Sequence, residues 1–193
     1  MAVAIGTKLF LDDVKAKNKE PQTAIPTLIR EIGQTKMLPE IQKQLGQIPQ
    51  TRTRNRIFIY GGASWAIATF THPEYLFKVP ASNYVEITAN DVHNFALQAR
   101  QMNPASMDRW VMDYLAKKHN PSAENLKDVT TELARVRNVF KPDALCAAGE
   151  IFERVAAEVK LEQTKMFFSR QALYSGMYGY LMNKARTAMA DAK

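Results

Sequence analysis

Cysteine occurs once, at Cys146, so no disulfide forms within the chain and the Cys-x-x-Cys pairs of zinc and redox sites are missing. That usage fits a reducing compartment, and a cytoplasmic location is expected. Histidine is scarce as well. His72, His93 and His119 do not stand at i, i+4 spacing from one another, which argues against a zinc site on a helix. No apolar run approaches the roughly 20 residues of a membrane span. Met1–Gly6 reads as too short and too poor in basic residues for a secretory signal. Three familiar motifs are missing too: the Gly-Lys-Ser/Thr phosphate loop, the Gly-x-Ser-x-Gly elbow and the Gly-x-Gly-x-x-Gly fingerprint. Acidic side chains are outnumbered, 19 Asp and Glu against 26 Lys and Arg. The net charge of +7 favours polyanionic partners such as polyphosphate, nucleotides or nucleic acid, or else a merely solvated basic surface.

The composition, 46% apolar and 23% charged over 193 residues, is that of a globular protein with enough chain for a real core. Its most informative stretch is Ile57–Tyr60, Gly61-Gly62, then Ala63-Ser64-Trp65-Ala66-Ile67-Ala68. Four β-branched or aromatic residues predict a buried strand, internal to its sheet, and the small residues after the glycines open an apolar helix. A strand that turns sharply into a helix leaves backbone N–H groups pointing out of the helix end, where a phosphate can approach glycine closely. A tight turn with no ligand is the plainer reading of the same pair.

Helical patterns dominate the rest. Val3–Ile5 is a short extended candidate interrupted at Gly6-Thr7. Ile25, Leu28, Ile29 and Ile32 mark one helical face, with a break or kink at Gly33 and Pro39 before Ile41, Leu45 and Ile48. Residues 47–56 read as a loop, and 72–85 as a long loop or insertion, with a strand at Tyr84–Ile87. Thr88, Asn103-Pro104, Ser122 and Lys141-Pro142-Asp143 each open a helix. Thr164–Phe168 is a late strand, and Ser169 caps a last helix with Leu173, Met177, Tyr178 and Leu181 inward. Cys146 sits among alanines as a small core residue. Asp12-Asp13 and Glu150/Glu153 read as solvated acidic pairs. The Arg52, Arg54, Arg56 series reads as a soluble strand end, without interleaved aromatics.

Taken in order, these segments resemble the second half of the exopolyphosphatase / guanosine pentaphosphate phosphatase (Ppx/GppA) family. The segments that carry the resemblance are Gly61–Ala68, Tyr84–Thr88, Arg137–Phe152, Phe167–Arg170 and Leu173–Met177. It covers about Val3 to Met182. It implies a helix-rich α/β unit of ribonuclease-H-like, actin-like type, the second unit of a two-unit phosphatase. On that reading residues 1–186 form one unit, residues 71–139 are a helical insertion within it, and residues 187–193 are a frayed tail. The implied activity is hydrolysis of terminal phosphoanhydride bonds in inorganic polyphosphate or guanosine pentaphosphate, assisted by Mg²⁺ in the complete enzyme. Gly61, Gly62, Ala63 and Ser64 would face the phosphate or nucleotide, with Gly149 and Glu150 as a second approach point.

The departures define a further expectation. The family's first phosphate loop, catalytic carboxylate and Asp-x-Gly-Gly-Gly loop all lie upstream of the matched part, and no Asp-x-Gly-Gly occurs in this chain. Where the family has Leu-Arg-Glu-Gly, this chain has Leu173-Tyr174-Ser175-Gly176. No catalytic residue and no metal ligand are therefore assigned within it. The chain is expected to be inactive alone, to supply one wall of the cleft, and to be completed by a missing N-terminal half or by self-association. The rival expectation is a non-catalytic module that binds a polyanion, a nucleotide or a protein.

Overall fold

A computed structural model describes residues 7–17, 25–47, 55–77 and 84–169. The expected strand at Val3–Ile5, the helix through Leu173 and Leu181, and the tail at 187–193 lie outside the described residues. The described part is helix-rich with one small mixed sheet. In chain order it comprises α1 (Thr7–Lys17), α2 (Ile25–Ile32), a π-turn (Gly33–Met37), α3 (Leu38–Gly46), β1 (Arg56–Ile59) and α4 (Gly62–Thr71). A 3₁₀ turn (Pro73–Leu76), β2 (Val85–Ile87), α5 (Ala89–Arg100), α6 (Pro104–Lys118), α7 (Ala123–Val139), α8 (Pro142–Glu158) and β3 (Lys165–Phe168) follow.

The helix starts have local causes. The Thr88 side chain accepts from the Asp91 N–H while Asp91 accepts from the Thr88 N–H, a reciprocal capping box that opens α5. Asn103 accepts from the Ala105 and Ser106 N–H groups ahead of Pro104, and Ser122 accepts from the Asn125 N–H. Pro142 opens α8, where its missing N–H costs nothing. The predicted break at Gly33 and Pro39 is a π-turn: the Leu38 N–H reaches back five residues to the Gly33 carbonyl, and Pro39 enters α3 in its first turn. Helix α1 has no counterpart in the sequence reading. Among its described side chains Phe10 and Val14, one turn apart, are buried.

The sheet order is β1-β3-β2, with β1 parallel to β3 and β2 antiparallel to it. The expectation that Ile57–Tyr60 is buried and internal is corrected: among the described strands β1 lies at the edge. Its side chains alternate, with Ile57 and Ile59 half-buried and Phe58 54% exposed. Four apolar residues in a row say nothing about which face is covered, and here only one is. Residues 71–139 contribute β2 to the sheet as well as α5, α6 and α7. The main core lies between the inner sheet face and the helices, around Ile67, Phe70, Ile87, Phe95, Leu133, Met166 and Phe168. A second cluster joins Phe10, Val14, Leu28, Ile29 and Ile32 to Cys146, Ala147 and Ile151 on α8.

Candidate functional site

The strand-to-helix turn is built from the backbone outward. Gly61 has φ 105° and ψ 175°, a conformation closed to side chains with a Cβ, and it ends β1 by turning the chain into α4. Its carbonyl accepts the first bond of α4, from the Trp65 N–H at 2.9 Å. The N–H groups of Gly62, Ala63 and Ser64 precede that bond, so helix geometry leaves them without an intrahelical acceptor, at the positive end of the helix dipole. Gly61, at the N-cap, has no side chain with which to cap this end. A Cβ on Gly61 would point into open space. β1 and β3 are parallel neighbours, so both end on this side of the sheet, Ser169 following β3 as Tyr60 follows β1.

Two candidate residues have structural partners that the sequence did not disclose. A Cβ on Gly62 would stand 2.8 Å from Cζ of Phe140, so this glycine seats an aromatic ring from the α7–α8 connection. The Ser64 hydroxyl, buried, donates to the Tyr60 carbonyl at 3.1 Å and laces the turn together. Ala63 is half-buried. Behind the turn the Trp65 ring meets Phe140 edge-on at 6.5 Å, and its indole N–H donates to Glu132 at 2.8 Å. Glu132 is held in turn by Arg135.

Gly149 and Glu150 have other surroundings. Both are buried in the middle of α8. Gly149 lets α5 approach, since a Cβ there would lie 2.9 Å from Cα of Ala96. Glu150 receives Arg100 from α5 and Arg154 from its own helix, and its Cγ fills the space a Cβ on Gly33 would need. The contacts of these two residues are with α5 and the π-turn, not with the Gly61–Ser64 turn. A groove of about 410 Å³ lies at the end of α8, lined by Val92, His93, Glu153, Lys160 and Glu162 among others; it includes none of the six candidate residues.

The structure also gathers a polar cluster. His72, at the end of α4, sits between Asp91 on α5 and Glu74 on the 3₁₀ turn, with its ring nitrogens 3.1 Å from each carboxylate. The Tyr114 hydroxyl donates to Glu74 at 3.2 Å, and His119 lies 3.3 Å from that hydroxyl. Burial pulls the His72 pKa down, but the hydrogen bonds and charges of Asp91 and Glu74 outweigh it and raise the pKa to about 9. Burial pushes Glu74 and Asp91 up, but His72, joined by Thr88 at Asp91 and by a backbone hydrogen bond and His119 at Glu74, more than offsets it, so both stay below the ordinary carboxylate range. His72 is therefore a protonated clamp at neutral pH, not a general base. Its partners are 2 and 19 residues away, and no sequence spacing announces them. Cys146 is buried, and that burial raises its thiol pKa to about 11, which leaves it unreactive at neutral pH.

Among the described residues no group of three or more His, Cys, Asp or Glu side chains is arranged to hold a metal ion. No described helix is long and apolar enough to cross a membrane. No family model matches the chain, and neither a curated protein nor a solved structure matches it.

Proposed function

We propose that this chain supplies one wall of a cleft that hydrolyses terminal phosphoanhydride bonds of polyphosphate or guanosine pentaphosphate, as its resemblance to the Ppx/GppA phosphatases implies. The supporting observation is the Gly61 turn. It sets the N–H groups of Gly62, Ala63 and Ser64, which have no acceptor within the helix, at the carboxyl end of a parallel strand pair, the position where open α/β sheets receive ligands. Backbone donors there bind phosphoryl oxygens without a cationic side chain, and the +7 charge raises the local anion concentration. Among the described residues no group of three or more His, Cys, Asp or Glu side chains is arranged around a Mg²⁺ position. No step is therefore derived through the ion, the attacking water or a catalytic carboxylate. Gly149 and Glu150 enter as support for α8 rather than as phosphate contacts.

The test is a titration of the intact chain with inorganic pyrophosphate, followed through amide chemical shifts. Saturable shifts at Gly62, Ala63 and Ser64 are expected, with small ones at Arg56. If those three amides stay still while the basic segment moves, the turn is only a turn and the proposal fails. Phosphate release from polyphosphate, guanosine pentaphosphate and ATP with Mg²⁺ is expected to be negligible for the chain alone. A turnover within ~1–10³ s⁻¹ would show that the catalytic groups have been misassigned.

A further inference from the structure

The first turn of α4 rests on one face of α7. Glu132, Val136 and Phe140 recur every four residues along that helix and its cap, and all three are buried. Trp65 of α4 bonds Glu132 through its indole N–H and meets the Phe140 ring edge-on, while Gly62 lies against the tip of the same ring. The ring is anchored on both sides of its own residue. The Phe140 N–H donates to the Val136 carbonyl at 2.7 Å, and only Phe140 and Lys141 separate α7 from α8. Pro142 in turn restricts Lys141 to an extended backbone. Gly62 does not use the conformational freedom of glycine. Unlike Gly61 it has no positive φ, and alanine is the better helix former at such a position. What glycine supplies is a seat: a Cβ there would point into the protein, 2.8 Å from Cζ and 3.4 Å from Cε2 of Phe140.

We propose that Phe140 is a positioning residue for the N–H groups of Gly62, Ala63 and Ser64, a role that rests on the phosphate reading of their turn. Phe140 touches no ligand and acts through Gly62. Its ring fixes how the first turn of α4 lies against α7, and so the direction in which the three donors point. Donors held in place beforehand need no reordering when an anion arrives. A methyl group at residue 62 adds nothing on the outer side of the turn. It pushes the turn away from the ring and tilts the three N–H groups together, so any loss of anion binding from that change travels through the backbone rather than through a blocked approach.

The experiment uses the full chain and three variants: Gly62→Ala, Phe140→Leu and the two combined. Leucine is shorter than phenylalanine and has no atom at Cε2 or Cζ, so the combined variant gives the new methyl group room. Two quantities are read. One is amide hydrogen exchange at Trp65, whose bond to the Gly61 carbonyl closes the first turn of α4, relative to Phe95 in the middle of α5. The other is the affinity for inorganic pyrophosphate from amide shifts. Each single variant is expected to speed Trp65 exchange several-fold relative to Phe95 and to weaken pyrophosphate binding several-fold. The combined variant should lie closer to the unchanged protein than Gly62→Ala does in both readings. Exchange that rises equally at Trp65 and Phe95 makes Phe140 an ordinary core residue and overturns the proposal, as does a combined variant no better than Gly62→Ala. An unchanged protein with no saturable pyrophosphate shift overturns the phosphate reading instead, and selective Trp65 exchange then still supports the hold of Phe140 on the turn.

Discussion

Replacing His72 with glutamine removes the cation that Asp91 and Glu74 share while keeping a side chain able to bond both. The imidazole is mostly enclosed, with its side chain 21% exposed, so solvent screening weakens its ion pairs little. A pKa raised from 6.5 to about 9 corresponds, at ~1.4 kcal/mol per unit, to about 3 kcal/mol favouring the folded state. The sign follows from proton binding. Below pH 6.5 the imidazole is protonated whether the chain is folded or not, and the contribution is complete. Between 6.5 and 9 only the folded protein keeps the proton, so stability falls by up to ~1.4 kcal/mol per pH unit; above 9 the contribution is gone. Urea unfolding of the unchanged protein and His72→Gln at pH 6 and pH 10 isolates this term, because lysines and tyrosines titrate alike in both. The expected gap is about 3 kcal/mol at pH 6, a midpoint difference of roughly 1–2 M urea, and it should largely close at pH 10. An equal gap at both pH values, or an imidazole titrating near 6.5 by NMR, would refute the clamp.

Gly149→Ala presses a methyl group onto the Ala96 backbone, which cannot swing aside; a loss of about 2–3 kcal/mol is expected, read as a lower thermal midpoint, and an unchanged midpoint would contradict the α5–α8 contact. Gly61→Ala meets open space but demands a positive φ, so it should cost about 1–3 kcal/mol in denaturant unfolding; a neutral effect would show that the turn adopts another conformation. Glu150→Gln leaves Arg154 without its buried counter-charge while Arg100 keeps Glu153, and about 3–5 kcal/mol should be lost by chemical denaturation; if Arg154→Met added to Glu150→Gln restores nothing, the stranded cation is not the cause. On the acid side Asp91 and Glu74 titrate below their ordinary range. Their stabilisation is present above the unfolded carboxylate pKa and should disappear as pH falls through the folded values, with Asp91→Asn flattening that limb of the stability profile.

The sequence was most informative where a structural cause is local. Thr88, Asn103, Ser122 and Pro142 open helices through bonds or ring geometry within three residues of themselves, and each helix begins where its cap predicts. The strand at Val85–Ile87 and the one at Lys165–Phe168 lie within the expected segments for the same reason. Burial of β1 was not legible, because it depends on what packs against the strand rather than on the strand. Helix α1 was missed because, among its described side chains, Phe10 and Val14 are buried and Leu11 half-buried beside them, too few for periodicity to stand out. The Gly61–Ser64 turn was visible as a motif, but the ring of Phe140 that seats Gly62 comes from a distant connection. Likewise the surroundings of Glu150 and His72 are assembled by tertiary packing, and such pairings leave no mark in spacing.

The π-turn between α2 and α3 acts as a phase corrector. In an unbroken α-helix, residues advance about 100° each, so Ile41 would point away from the face that carries Leu28, Ile29 and Ile32, nearly the opposite direction. The additional residue accommodated by the bond from Leu38 to Gly33 sets that rotation back by about one step, and Ile41 is fully buried as a result. Lengthening or shortening residues 33–37 by one would thus not merely alter a loop. It would turn α3 about its axis, trading Ile41 for the polar positions beside it, so this short segment tolerates exchange of residue type more readily than any change in residue number.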